Sequence, residues 1–336
     1  MDSVSKNKKI DPDQAWKTAA DLLRNSMHFS SSLTTTIRTL RINESDNLNE
    51  GNSSSHLNSA GKFYLMRLLR VGSILAPFYY LTKTFKAKQI EDKEYLSGED
   101  IVSLYKLDEV CAVLALAYVF NSLRKICDKE EWGRYAKFAN EITELGGCLG
   151  INIPDIGLAR GLLLSGMRAL SLAVFLSQDM KAYKIYRRDT KIKKVCFDLQ
   201  MEYDLFGCTH VEIATQMIQS IGFGVDYSAD LYKSILTEPD KKLQKMPNIM
   251  RILLLWNEAL YMNKKPPAIL GENEIIVSDE VLDRVIMISK QIQEDGSAFS
   301  WLSKNKKSIS RKLAPQLYKH GDPSEFEEFE EEAAYT

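Results

Sequence analysis

Two stretches, Val110–Phe120 (VCAVLALAYVF) and Leu162–Leu176 (LLLSGMRALSLAVFL), decide the fold class. Both are apolar on nearly every side of a helical wheel, and helices of that kind belong in the middle of a core. Around them the pattern stays helical. Asp128 stands before Glu130 and Glu131, an N-cap followed by acids that suit the positive end of a helix dipole. Behind it Trp132, Ala136, Ala139, Ile142 and Leu145 recur every three or four residues, and Gly146-Gly147 reads as the stop. Ser278, Asp279 and Glu280 open a second such helix, striped by Val281, Val285, Ile288 and Ile292. Only 9 prolines and 17 glycines interrupt 336 residues, and alternation with tight-turn dipeptides is almost missing. The expectation is an all-α protein.

Composition bounds the function without naming it. The 44 Lys and Arg against 45 Asp and Glu leave a formal charge of -1, so no global field draws the chain to nucleic acid or to an anionic membrane. The apolar run Gly161–Leu176 contains Arg168 and reads as too short to span a bilayer, and no apolar core follows the charges at the N-terminus. The five cysteines, Cys111, Cys127, Cys148, Cys196 and Cys208, form no close pairs, and an odd number argues against a disulfide framework. A cytoplasmic globular protein is expected.

Organisation follows from breaks in this pattern. Asn43–Gly61 holds five Asn, five Ser and two Gly in 19 positions and reads as a mobile loop. It sets off an N-terminal helical region (1–95), with a helical stretch over about 13–41, from a helical domain over 96–312. A weaker boundary falls at 240–246, and Lys264-Lys265-Pro266-Pro267 reads as a turn. Residues 313–336 form an acidic, disordered tail by composition: 322–332 carry seven acids, no base, and Phe326 and Phe329. No repeat of solenoid length is present.

Four segments between about Leu96 and Ile235 then fall in a familiar order. They are SGEDIVSLYKLDEVCAVLALA (Ser97–Ala117), WGRYAKFANEITELGGCLGI (Trp132–Ile151), ARGLLLSGMRAL (Ala159–Leu170) and EYDLFGCTHVEIATQMIQSIGF (Glu202–Phe223). Together they resemble the HDOD domain, a helical relative of the HD phosphohydrolases found in bacterial signalling proteins. The last segment is the most specific, keeping Phe206, Gly207, His210, Glu212 and Ala214 in the family's spacing. The resemblance implies an HD-like helical bundle. It also implies lost chemistry, because the HD metal-ligand positions hold Arg134, Leu164 and Ser165, and only His210 survives. Leucine cannot ligate a metal, and one imidazole cannot hold a catalytic one. The implied function is non-catalytic, with no cofactor: a regulatory protein that binds a partner protein or a small regulatory ligand; a phosphorylated small ligand is what the basic run at 181–194 would add.

Other readings start from other residues. A metal-dependent phosphohydrolase with an unfamiliar ligand set would draw on Asp155, His210 and Glu212; Cys208, Glu202 and Asp204 also lie close to His210 in sequence. The bland reading of His210 is a helix-start residue bonded to backbone or to a carboxylate. A nucleic-acid or phosphate surface would use the run 181–194, where Lys181, Lys184, Arg187, Arg188, Lys191, Lys193 and Lys194 face a single acid, Asp189, and Tyr183 and Tyr186 are interleaved. A second run, Lys304, Lys306, Lys307, Arg311 and Lys312, has no acid at all. Charge runs usually face water, and the acidic tail could also fold back on one of them. Phe78, Tyr79 and Tyr80 read as core packing before they read as a partner surface.

Overall fold

The computed structural model describes residues 11–49, 59–69, 72–90, 97–153, 155–236, 249–267, 278–297 and 299. Among them lie fourteen α-helices and no strand. They are α1 (Pro12–Ser26), α2 (Ser31–Asn49), α3 (Ser59–Leu69), α4 (Gly72–Phe85), α5 (Gly98–Ser103), α6 (Leu107–Ile126) and α7 (Lys129–Asn152). Then come α8 (Leu158–Gln178), α9 (Met180–Lys193), α10 (Leu199–Phe206), α11 (His210–Ser220), α12 (Val225–Leu236), α13 (Ile249–Asn263) and α14 (Asp279–Asp295). The all-α reading holds.

The two greasy stretches sit where their composition requires. From Leu162 to Leu176 every residue of α8 is buried, and α6, α7 and α11 pack around it. Burying a leucine or phenylalanine side chain is worth about 1.5–3 kcal/mol, so this helix is a principal source of core stability. By length and composition α8, at 21 residues, is the one helix among those described that could cross a membrane, yet 94% of its apolar window is buried inside the protein. The sequence measure of 16 residues fell short because Leu158–Arg160 and Ser177-Gln178 extend the helix at both ends.

Asp128 caps α7 as expected, accepting from the Glu130 and Glu131 amides at 3.0 and 3.1 Å. Gly146-Gly147 does not stop the helix, which runs on to Asn152. The pair serves packing. A Cβ on Gly146 would lie 2.2 Å from Ser165 Oγ and 2.5 Å from the Gly161 carbonyl oxygen, and one on Gly161 would lie 2.3 Å from the Gly146 oxygen. Here α7 and α8 cross nearly backbone on backbone, which only glycine permits. That contact brings the Leu164-Ser165 turn of α8 fully inside.

The N-terminal region is not set apart. Its expected helix breaks in two, because Met27 is extended and Ser30 Oγ accepts from the Leu33 amide to start α2. α1 packs on α11 and α8, and α2 packs on α6. Leu33, Ile37 and Leu40 belong to the same buried cluster as α8, so among the described residues one core takes side chains from α1 and α2 as well as from α6, α7 and α8. Helix also covers 43–49 and 59–61, which composition assigned to a loop. Asn and Ser cost a helix only tenths of a kcal/mol each, too little to veto continuation. Residues 50–58, the boundary at 240–246, the run at 304–312 and the tail at 313–336 lie outside the described residues. Phe78 and Tyr79 are core residues, 0% and 1% exposed.

Candidate functional site

The site grows from a helix stop and a helix start three residues apart. Gly207, at φ 74°, takes the left-handed conformation that ends α10, and its amide donates to the Tyr203 carbonyl. Thr209 then caps α11, and Glu212 closes the capping box by accepting from the Thr209 amide at 2.9 Å. This turn delivers His210 to the first position of α11, wholly buried.

Glu202, on α10, meets it. One carboxylate oxygen accepts from both the His210 amide and the His210 ring Nδ1, each at 2.7 Å, and the other accepts from the Tyr186 hydroxyl at 2.5 Å. Burial and the neighbouring Glu202 carboxylate hold the Tyr186 hydroxyl well above the usual tyrosine range, so it stays a donor. On the far side of the ring, Arg168 Nε donates to His210 Nε2 at 3.0 Å, and Arg168 Nη1 donates to Glu258 at 2.5 Å. Phe197 lies against both, stacked on the imidazole at 4.3 Å and carrying the guanidinium 3.9 Å above its ring.

The tautomer follows from this geometry. Arginine has donors and no acceptor, so His210 Nε2 must accept, and Nδ1 must carry the proton it gives to Glu202. Both ring nitrogens are therefore engaged. A metal could reach this imidazole only by displacing Arg168 from Nε2, or Glu202 and the proton from Nδ1.

The chain matches no family model, no curated protein and no solved structure. The geometry must carry the functional reading.

The positions matched to HD ligands scatter. Arg134 does not place its charge beside His210: it is exposed on α7, paired with Glu130 at 2.5 Å and Glu131 at 3.0 Å. A residue two positions from the Trp132 core contact points outward on the same helix, which motif alignment does not reveal. The positive charge at the site comes from Arg168, one turn beyond the buried Leu164 and Ser165. Asp155 is exposed in the turn before α8, Asp204 accepts from Gln200 at 3.0 Å on the outside of α10, and Glu212 is committed to its capping box. Among the described residues no three His, Cys, Asp or Glu side chains converge on a point that could hold a metal. Of the proposed set, then, His210 and the nearby Glu202 lie in the network, while Asp155, Asp204 and Glu212 do not.

The run 181–194 resolves into two faces of α9. Tyr183 and Tyr186 point into the core and are buried, so they offer no rings for bases to stack on. Arg187 lies over the Phe138 ring at 4.9 Å, Lys184 pairs with Glu131 at 3.0 Å, and Lys193 pairs with Asp198 at 2.6 Å. Lys181, Arg188 and Lys191 remain on the exposed side.

Arg168 is the residue that motif reading missed. A signal was present: one arginine inside fifteen otherwise uncharged, mostly apolar positions of a core helix must find acceptors, because an unpaired buried charge is prohibitively costly. Its partners, 42 and 90 residues away, could not be read from spacing.

Proposed function

We propose that this chain is a non-catalytic regulatory protein, a degenerate HDOD-type domain that acts in bacterial signal transduction by binding a partner protein. The observation that carries the reading is the bond from Arg168 Nε to His210 Nε2. In a metal-dependent HD hydrolase an imidazole lone pair goes to the metal; here it goes to a guanidinium held in place by Glu258 and Phe197. The network around this bond ties five helices together and occupies both ring nitrogens of the histidine, which supports a structural role for it. The ordered segments quoted above, ending in Phe206-Gly207-Cys208-Thr209-His210-Val211-Glu212, supply the link to the family. Regulation would then rest on the outer helical surface.

Elemental analysis of the purified chain, before and after incubation with Mn²⁺, Fe²⁺ or Zn²⁺, tests the reading together with a phosphomonoester assay. Metal below one ion per chain and no hydrolysis dependent on His210 are expected. One or two ions per chain, lost in His210→Ala, would overturn it in favour of a hydrolase.

A further inference from the structure

The outward face of α9 has no counterpart in the buried network. Lys181, Ile185, Arg188 and Ile192 follow one another at helical spacing, directly opposite the buried Tyr183, Tyr186 and Thr190. Ile185 is 44% and Ile192 72% exposed. Of the basic side chains around them, Lys181, Lys191 and Lys194 have no acidic partner within 4 Å among the described residues. Scattered exposed isoleucines are ordinary; two on one face, framed by uncompensated cations, make a surface suited to an acidic segment that also carries apolar side chains.

The chain holds one such segment. Residues 322–332 read Asp-Pro-Ser-Glu-Phe-Glu-Glu-Phe-Glu-Glu-Glu, and without their seven acids the rest of the chain has 44 Lys and Arg against 38 Asp and Glu. The near-zero total charge thus hides two opposed parts. Reach is ample. Ser297 donates to Glu144 of α7, and Arg187 of α9 lies over Phe138 of that same helix. The six residues between these contacts rise only about 9 Å along α7. From Ser297 to Asp322 the chain can span up to about 80 Å. Tethering at that length supplies an effective concentration on the order of millimolar, enough for a weak contact to close.

We infer that residues 322–332 dock on the outward face of α9, acids on Lys181, Lys191 and Lys194, and Phe326 and Phe329 against Ile185 and Ile192. The contact covers the one exposed basic and apolar helix face described above, and an acidic partner would have to displace it. This inference stands on α9 and the charge division, independent of the ancestry proposed for the fold.

Zero-length carbodiimide coupling of the full chain, read by peptide mass spectrometry, tests it. The expected links join Lys181, Lys191 or Lys194 to Glu325–Glu332 within one molecule, as shown by mixing isotope-labelled and unlabelled protein, and they fade in 1 M salt, where screening shortens to about 3 Å. In parallel, Gln in place of the six glutamates of the segment should raise acetylation of those three lysines several-fold. Ile185→Ser with Ile192→Ser, both exposed, should reduce the links without unfolding the chain. Links confined to Lys304, Lys306 and Lys307, links only between labelled and unlabelled copies, or unchanged acetylation would each overturn the inference.

Discussion

Arg168 Nε and His210 Nε2 stand 3.0 Å apart with the imidazole fixed on its other side by Glu202, so a guanidinium and a neutral histidine share one hydrogen. The pair joins α8 to α11, Glu202 brings in α10, Tyr186 brings in α9, and Glu258 brings in α13. A polar network built this way specifies how five helices meet, and its members fail together.

Removing Arg168 is therefore costly. Arg168→Met should lower unfolding free energy by about 3–5 kcal/mol, the usual loss when one partner of a buried ion pair is deleted. Arg168→Lys should not restore it, since one ammonium cannot reproduce the two directed N–H bonds of the fork. In a double-mutant cycle with His210→Phe, a coupling above about 1 kcal/mol is expected for residues in one network. Arg134→Ala should stay within about 0.5 kcal/mol, as exposed pairs do. Urea midpoints measure all four; equal effects for Arg168 and Arg134 would refute the assignment.

The α7–α8 crossing gives a sharper contrast. Gly146→Ala and Gly161→Ala put a methyl against backbone at 2.5 and 2.3 Å, and overpacking should cost about 1–3 kcal/mol or more. Gly133→Ala on the same helix meets nothing within 4 Å and should stabilise by about 0.4–1 kcal/mol. Thermal denaturation of the three variants decides the matter, and destabilisation by Gly133→Ala would show that the first turns of α7 are packed differently.

These sites also show what the sequence could and could not reveal. Asp128 and Ser278 were legible as caps because capping is settled within four residues, and both side chains accept the expected amides. Val110–Phe120 was legible as core because an all-apolar wheel has no other home. Gly146-Gly147 misled because a glycine pair looks alike at a helix end and at a close crossing, and only the partner helix distinguishes them. His210 was placed correctly as a helix-start residue bonded to a carboxylate, since Glu202 is eight residues away. Arg168 and Glu258 depend on tertiary packing, and no local pattern encodes it.

All five cysteines are buried thiols outside any disulfide. Burial, with Asp128 adding, pushes the Cys127 thiol up to about 12, and burial, with Glu258 adding, does the same for Cys196. Thiolate is the reactive form, so none of the five should react with a disulfide reagent at pH 8 in the folded protein, and all five should react in urea. Rapid labelling of Cys127 in the native state would show that α6 and α8 separate there.

Glu141 supplies a pH dependence of defined sign. Its carboxyl is buried on α7, Oε1 lacks a hydrogen-bond partner, and the Lys137 ammonium stands 3.8 Å away. Burial raises its pKa above the ordinary glutamate value; Lys137 and the Tyr261 hydroxyl oppose the rise and Glu144 adds to it. With the folded value above the unfolded one, the native state holds this proton longer. Glu141's contribution is then complete below the unfolded pKa and is lost as pH rises through the folded one. Glu141→Gln, which keeps the shape and cannot ionise, should raise stability at pH 7, leave it nearly unchanged at pH 4, and flatten the slope between. Urea midpoints across that range test this, and parallel curves for the two proteins would mean that Glu141 ionises in the fold as freely as in the open chain.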